Sequence, residues 1–176
     1  LNIHFKSKRG AAEDPALLEW ETHRMEMAEA IRRIVEGRFG SAISSAETIF
    51  ILLGDRNSNF DVASAKIMDG TLKLKDFEQN GPCRLGKTGA PLCKAGAPTP
   101  ATLFSVLLTD PETRQVPGTY LFKKEYSWLD DILMPNPSLR YALADPNVFG
   151  NYDSGVLTKP SAASDHGMVW VKLRWE

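Results

Sequence analysis

The fold class of this chain is decided by residues 48–57, which read Thr-Ile-Phe-Ile-Leu-Leu-Gly-Asp-Arg-Asn. Six β-branched, aromatic and aliphatic residues in a row are typical of a strand that is buried on both faces. Gly54 is expected to end this strand, so Asp55 and Asn57 follow at its end. The stretch therefore predicts a central strand that presents two polar side chains at one edge of a sheet.

Further strands and one clear helix are predicted on either side of this stretch. Residues 1–5 alternate apolar and polar, which indicates a strand with one buried face. A helix is predicted from Asp14-Pro15 to Gly37 and Gly40, because Asp and Pro favour helix starts and Gly favours helix ends. Its apolar face is formed by Trp20, Arg24, Met27, Ile31, Ile34 and Val35. Other strands are expected at 102–108, 118–122, 127–134 and 168–175, a short helix within 61–79, and mostly loops at 80–100 and 136–163. The mixture predicts an α/β or α+β domain.

Composition limits the class of protein. The chain has 176 residues, 43% of them hydrophobic, which supports one folded domain and excludes disorder as the main state. Lys and Arg number 21 against 22 Asp and Glu, so a generally basic nucleic-acid coat is excluded and phosphate binding would need a local patch. No apolar run approaches the roughly 18 residues of a membrane-spanning helix.

The two cysteines, Cys83 and Cys93, lie in one Gly- and Pro-rich stretch and do not form a zinc motif. Two interpretations stay open. A disulfide across the loop would favour a secreted or periplasmic location, whereas free thiols would suit the cytoplasm.

Residues 81–88 match the phosphate-binding P-loop pattern G-x-x-x-x-G-K-[ST] letter for letter. That chemistry needs a helix that starts at the Lys-Thr pair and points its amides at the phosphates. Gly89, Pro91 and further Gly and Pro residues follow, so no helix is expected at Lys87. The match is interpreted as an irregular surface loop, with P-loop nucleotide binding kept as an alternative.

Four short polar stretches at the ends of predicted strands carry the chemistry. They are Asn2-Ile3-His4, Gly54-Asp55-Arg56-Asn57, Leu129-Asp130-Asp131-Ile132-Leu133 and Ser164-Asp165-His166. Each alone is typical of a turn, a loop cap or a side chain that faces water. Together, and in this order, they resemble the motifs of the endonuclease/exonuclease/phosphatase superfamily, whose members have the deoxyribonuclease I-like fold.

The resemblance implies a layered α/β sandwich with two mixed sheets and outer helices. It extends over residues 1–176 but lacks the family's N-terminal part, which supplies a metal-binding Glu. It therefore implies that this chain is the C-terminal portion of a single domain. We expect the chain alone to be inactive, and a missing N-terminal segment or a second chain to cover the open face of the sheet.

The resemblance also implies a metal-dependent phosphoesterase, most directly a nuclease that hydrolyses phosphodiester bonds with an activated water. On this interpretation His166 is the general base or its proton relay, Asp130 fixes the imidazole tautomer, and Asp165 lies near the metal. Because a strand turns neighbouring side chains to opposite faces, Asp130 and not Asp131 is expected to contact His166.

Three other residues receive roles from the same resemblance. Asp55 and Asn57 orient the water and hold a phosphate oxygen, and His4 donates to the phosphate. Such an oxygen-rich set suits Mg²⁺ or Mn²⁺. A phosphate-ester substrate, with nucleic acid the first expectation, is implied. The alternatives are a phosphatase acting on phospholipid or small phosphoesters, and a non-catalytic binding scaffold.

Overall fold

A computed structural model describes residues 1–8, 20–45, 48–74, 87, 101–158 and 164–175. The fold is mixed α/β. It divides into two compact units: residues 1–3, 41–55 and 103–176 form the first, and residues 4–40 and 56–102 form the second. The expected helix start at Asp14-Pro15, both cysteines and the P-loop match, apart from Lys87, lie outside the described residues.

The strand predicted within residues 48–57 belongs to a four-stranded mixed sheet. In spatial order its strands are β1 (Asn2–His4), β2 (Leu52–Asp55), β6 (Asp130–Met134) and β3 (Phe104–Ser105). The Leu1 amine donates to the Ile51 carbonyl (2.7 Å) and the Leu1 carbonyl accepts from the Leu53 amide (3.0 Å), which is the parallel pattern. β6 is antiparallel to both β2 and β3.

Two antiparallel strand pairs complete the β structure of the first unit. They are β4 (Tyr120–Phe122) with β5 (Glu125–Ser127), and β7 (Ser154–Leu157) with β8 (Met168–Val171). Two short helices, α3 (Val106–Thr109) and α4 (Asn136–Leu139), lie between the strands in sequence. Val106, Leu107, Ile132, Met134, Leu139, Ala142, Leu143 and Tyr152 form the buried core of this unit.

The second unit is built around α1 (Glu21–Ser45), whose last five residues belong to the first unit, and α2 (Ala63–Asp69). Glu21 and Arg24 are both buried and form an ion pair of 2.9 Å. Glu21 also accepts from the Ser64 amide (2.8 Å), and Arg24 donates to the Lys6 carbonyl (3.2 Å). Hydrogen bonds at every polar end allow this pair of charges to be buried.

The face of α1 differs from the predicted one. Trp20, just before the helix, and Ile34 within it are each 42% exposed. The buried residues are Glu21, Arg24, Met25, Ala28, Glu29 and Val35. Arg24 and Val35 are buried as predicted, whereas Glu21 and Glu29 are buried in ion pairs that an apolar pattern does not reveal. The predicted end at Gly37 and Gly40 is also wrong, because the penalty of about 1 kcal/mol for a helical glycine does not by itself end a helix.

Several strand boundaries also need correction. β2 begins at Leu52 and continues through Gly54, and Leu53 is 40% exposed, so this strand is not buried on both faces. Gly54 stays in the strand because β1 approaches it closely: a Cβ there would overlap the Ile3 carbonyl oxygen. Within the predicted strand 102–108, only Phe104 and Ser105 form a strand, β3. Helix α3 begins directly after it, and the Ser105 hydroxyl caps this helix by accepting from the Leu108 amide (2.9 Å).

Two more segments differ in extent. The predicted strand at 127–134 is divided between the end of β5 and β6, and the expected loop at 136–163 contains α4 and β7. Strands are confirmed within 1–5, 118–122 and 168–175, although the last of them ends at Val171, and the short helix within 61–79 is confirmed. Among the described helices, none combines the length and apolarity that crossing a membrane requires.

The buried Glu29 gives a prediction about acid stability. Burial raises its pKa, but hydrogen bonds and charge from Arg32 and Arg33 outweigh burial and bring the pKa below the ordinary 4.5. Ionised Glu29 therefore stabilises the fold above that pH, and this contribution is lost as the pH falls through the lowered pKa. We expect Glu29→Gln to reduce the free energy of unfolding by about 2 kcal/mol at pH 7, measured by urea denaturation.

The difference from the unmodified chain should shrink steadily below pH 4.5. Glu36→Gln is the matched control, because Glu36 pairs with the same Arg32 (2.6 Å) but is exposed. An equal loss in both variants, or a Glu29→Gln difference that is constant with pH, would contradict this account.

Candidate functional site

Two carboxylates lie opposite each other where the two central strands of the four-stranded sheet end. Asp55 is the last residue of β2 and Asp130 the first residue of β6, and the antiparallel register pairs them directly. Residues paired in this way project from the same face of the sheet. Two like charges so placed repel each other, so the arrangement favours a cation or a proton donor between them.

His166 supplies a proton donor. Its Nδ1 lies 2.8 Å from Asp130 Oδ2, the contact that strand alternation predicted. An ionised carboxylate only accepts, so Nδ1 carries the hydrogen in this contact, and in the neutral imidazole Nε2 then has the lone pair. The imidazole is therefore held in one tautomer and one orientation.

Asp55, Asp130 and His166 form one group, in which a ligand atom of each lies within 4.8 Å of the others. All three are half-buried, so solvent and a substrate can reach them. The two carboxylates supply oxygen atoms of the kind that Mg²⁺ or Mn²⁺ takes as ligands.

The backbone around Thr119 positions the histidine. The Gly167 amide donates to the Thr119 carbonyl (2.6 Å), and the Leu121 amide donates to the Asp165 carbonyl (3.3 Å). His166 lies between these two bonds in a β-bridge with Tyr120. The chain that carries His166 is thus fixed along β4.

The Thr119 side chain fixes the carboxylate as well. Thr119 is 1% exposed, and its hydroxyl accepts from the Leu129 and Asp130 amides at 3.0 Å each. One residue therefore holds both the segment of Asp130 and the segment of His166. Sequence reasoning missed Thr119, because its hydrogen-bond partners are about ten positions or more away and no local sequence pattern indicates them.

Asp131 lies on the opposite face, as predicted. It is buried, and its Oδ1 accepts from the Ser105 hydroxyl (2.6 Å) and the Ile132 amide (2.8 Å). Its role in these contacts is to join β6 to the start of α3.

Among the described residues Asp165 is not a member of the Asp55 group, and the other two predicted site residues belong to the second unit. Asp165 is exposed in the first unit, and its carbonyl accepts from Leu121 as described. His4 and Asn57 belong to the second unit. Asn57 is buried with a positive φ of 49°, and its side-chain amide donates to the Phe5 carbonyl (3.0 Å).

Comparison with protein-family models, curated proteins and solved structures gives no match to this chain. The resemblance to the endonuclease/exonuclease/phosphatase superfamily stays a prediction, and the site is interpreted from its own geometry.

Thr119 gives a prediction about the integrity of the site. Thr119→Val keeps the shape but leaves two buried amides without their acceptor, so we expect it to lower the free energy of unfolding by about 2 kcal/mol or more. Thr119→Ser keeps the hydroxyl and should lose much less. Thermal unfolding of the two variants side by side measures this, and equal losses would show that the hydroxyl does not matter.

Proposed function

We propose that this chain is a metal-dependent phosphoesterase, most directly a nuclease that hydrolyses phosphodiester bonds with an activated water. The observation that carries the proposal is the Asp130–His166 contact of 2.8 Å. It is made beside a second carboxylate, Asp55, at the ends of the two central strands of the sheet. The deoxyribonuclease I-like fold implied by the sequence motifs belongs to the same proposal.

The imidazole is the general base. With Nδ1–H held by Asp130, the Nε2 lone pair accepts a proton from water, and the carboxylate stabilises the imidazolium that forms. His is suited to this step because its charge changes near neutral pH.

Asp55 orients the attacking water. Its carboxylate lies in the same group as His166, so it can accept the second water hydrogen while the first faces the imidazole. Two acceptors on one water fix the direction of its lone pair, which is the positioning that a displacement at phosphorus needs.

A divalent cation suits the donor set, since the paired carboxylates of Asp55 and Asp130 supply hard oxygen ligands. Asp165 is proposed as a further ligand on the strength of the sequence motif. Mg²⁺ or Mn²⁺ would neutralise charge on the phosphate and on the leaving oxygen. His4 and Asn57 are proposed to contact the phosphate, also on the strength of the motifs.

The proposal is tested by Mn²⁺-dependent hydrolysis of a single-stranded oligonucleotide and of bis(4-nitrophenyl) phosphate. We measure it with the 176-residue chain and with the longest product of its gene, because the resembled family takes one metal ligand from a segment outside these motifs. Where hydrolysis occurs, His166→Gln and Asp130→Asn should each lower kcat/KM about a hundredfold.

His23→Gln is the matched control, because His23 is an exposed histidine of α1 whose Nδ1 lies 3.2 Å from Glu26. It should leave the rate unchanged. No hydrolysis of either diester by either protein, a rate that survives His166→Gln, or one that EDTA does not affect would overturn the proposal. Release of phosphate from a monoester in place of diester cleavage would identify the phosphatase alternative.

Cation binding is expected even without turnover. A cation that binds only the folded chain raises its stability, by about 2.7 kcal/mol at a hundredfold excess over Kd. Mn²⁺ should therefore raise the melting temperature of the unmodified chain and of His23→Gln. The increase should be much smaller in Asp55→Asn, and an equal increase in all three would place the bound cation elsewhere.

A further inference from the structure

The β4–β5 hairpin carries a row of two aromatic rings, and the inner one contacts the imidazole of His166, the proposed general base. Tyr120 and Phe122 are two residues apart in β4 and so project from the same face. Their rings are nearly parallel, at 10°, with centroids 6.3 Å apart. The Tyr120 ring in turn lies 4.8 Å from the His166 ring. Phe122, at the outer end of the row, is 49% exposed.

The tip of the same hairpin is basic. Lys123 and Lys124 are its two turn residues, both exposed, and Lys123 Nζ lies 5.3 Å from the centroid of the Phe122 ring. The one acidic residue among 120–127 is Glu125, so the hairpin has a net charge of +1. A cation thus lies beside the exposed aromatic ring.

The turn residues are an unusual choice for their conformation. Lys123 and Lys124 have φ values of 48° and 71°, and two positive φ values in succession are the requirement of a type I′ turn. Asn-Gly or Gly-Gly adopts that turn with less strain, and lysine offers no conformational advantage there. The positive charges therefore need an explanation outside the fold of the hairpin.

We propose that the face of β4 and its turn form a platform for single-stranded nucleic acid, which leads the strand to His166. This inference rests on the proposed function and names its substrate class. A base stacks on Phe122, the phosphates beside it contact Lys123 and Lys124, and the row through Tyr120 continues toward the Asp130–His166 pair. Aromatic faces combined with lysines are the means by which proteins bind single strands without sequence preference.

The chemistry favours a single strand over a duplex. Phe122 can stack only on a base whose face is open, and in a duplex each base face is covered by its neighbours. The local charge also explains how a chain with a net charge of −1 can bind a polyanion.

The stacking part is tested by fluorescence anisotropy with a labelled oligothymidylate about ten nucleotides long, in EDTA so that binding is measured without cleavage. Phe122→Ala should weaken binding at least about fivefold, the loss expected for one stacked base. Phe149→Ala is the matched control, since Phe149 is 69% exposed in the same unit and distant in sequence from the hairpin. It should bind as the unmodified chain does.

The charge part is tested with the double variant Lys123→Asn, Lys124→Gly. This pair suits a type I′ turn, so the hairpin should be retained or strengthened while both charges are lost. We expect the slope of log K against log salt to become shallower by about 1.4, which is two phosphate contacts at about 0.7 each. Circular dichroism confirms that each variant is folded.

The outcomes separate this inference from the proposed function. If His166→Gln abolishes hydrolysis while Phe122→Ala binds the strand normally, the platform is refuted and the hydrolase stands. If Phe122→Ala weakens binding but His166→Gln hydrolyses normally, delivery of the strand to His166 is refuted. Equal affinity for a duplex of the same length, or Phe122-dependent binding to phosphatidylserine vesicles in place of the oligonucleotide, would also overturn the proposal.

Discussion

The antiparallel register of β2 with β6 is the constraint on which the candidate site depends. It sets Asp55 directly opposite Asp130 and turns Asp131 to the other face, so two carboxylates share one edge of the sheet. Like charges in cross-strand positions are unfavourable unless other groups compensate them. Here the His166 imidazole contacts the Asp130 carboxylate, and the oxygens of Asp55 and Asp130 are ligands that suit a hard cation.

Thr119, which is not itself a site residue, supports this arrangement. Thr119 accepts the amides of β6 through its hydroxyl and the Gly167 amide through its carbonyl. The carboxylate and the imidazole are therefore placed by one buried residue, which restricts how far they can move apart. The hairpin that begins just after Thr119 also carries the aromatic rings of Tyr120 and Phe122. The proposed binding surface and His166 are therefore both positioned by contacts at Thr119.

The sequence revealed the parts of the site that depend on strand periodicity. Alternation along residues 130–134 was enough to separate Asp130 from Asp131, whereas His166 was selected only by the resemblance that the four polar stretches carry together. Thr119 could not be found in this way, because its role depends on which distant strands pair. The limits of β2 were misjudged because the role of Gly54 comes from the approach of β1. The face of α1 was predicted only in part, because Glu21 and Glu29 are buried in ion pairs. The functional assignment itself stays a proposal.

The most direct measurement is NMR of the histidine ring signals during titration with Mn²⁺, a paramagnetic ion that broadens only nearby nuclei. The chain has three histidines, so the His166 signals can be assigned by their loss in His166→Gln. If a cation binds beside Asp55 and Asp130, the His166 signals should broaden at low Mn²⁺ concentrations, and Asp55→Asn should remove the effect. His166 signals that stay sharp, or broadening that persists in Asp55→Asn, would contradict a metal-dependent site formed by these residues.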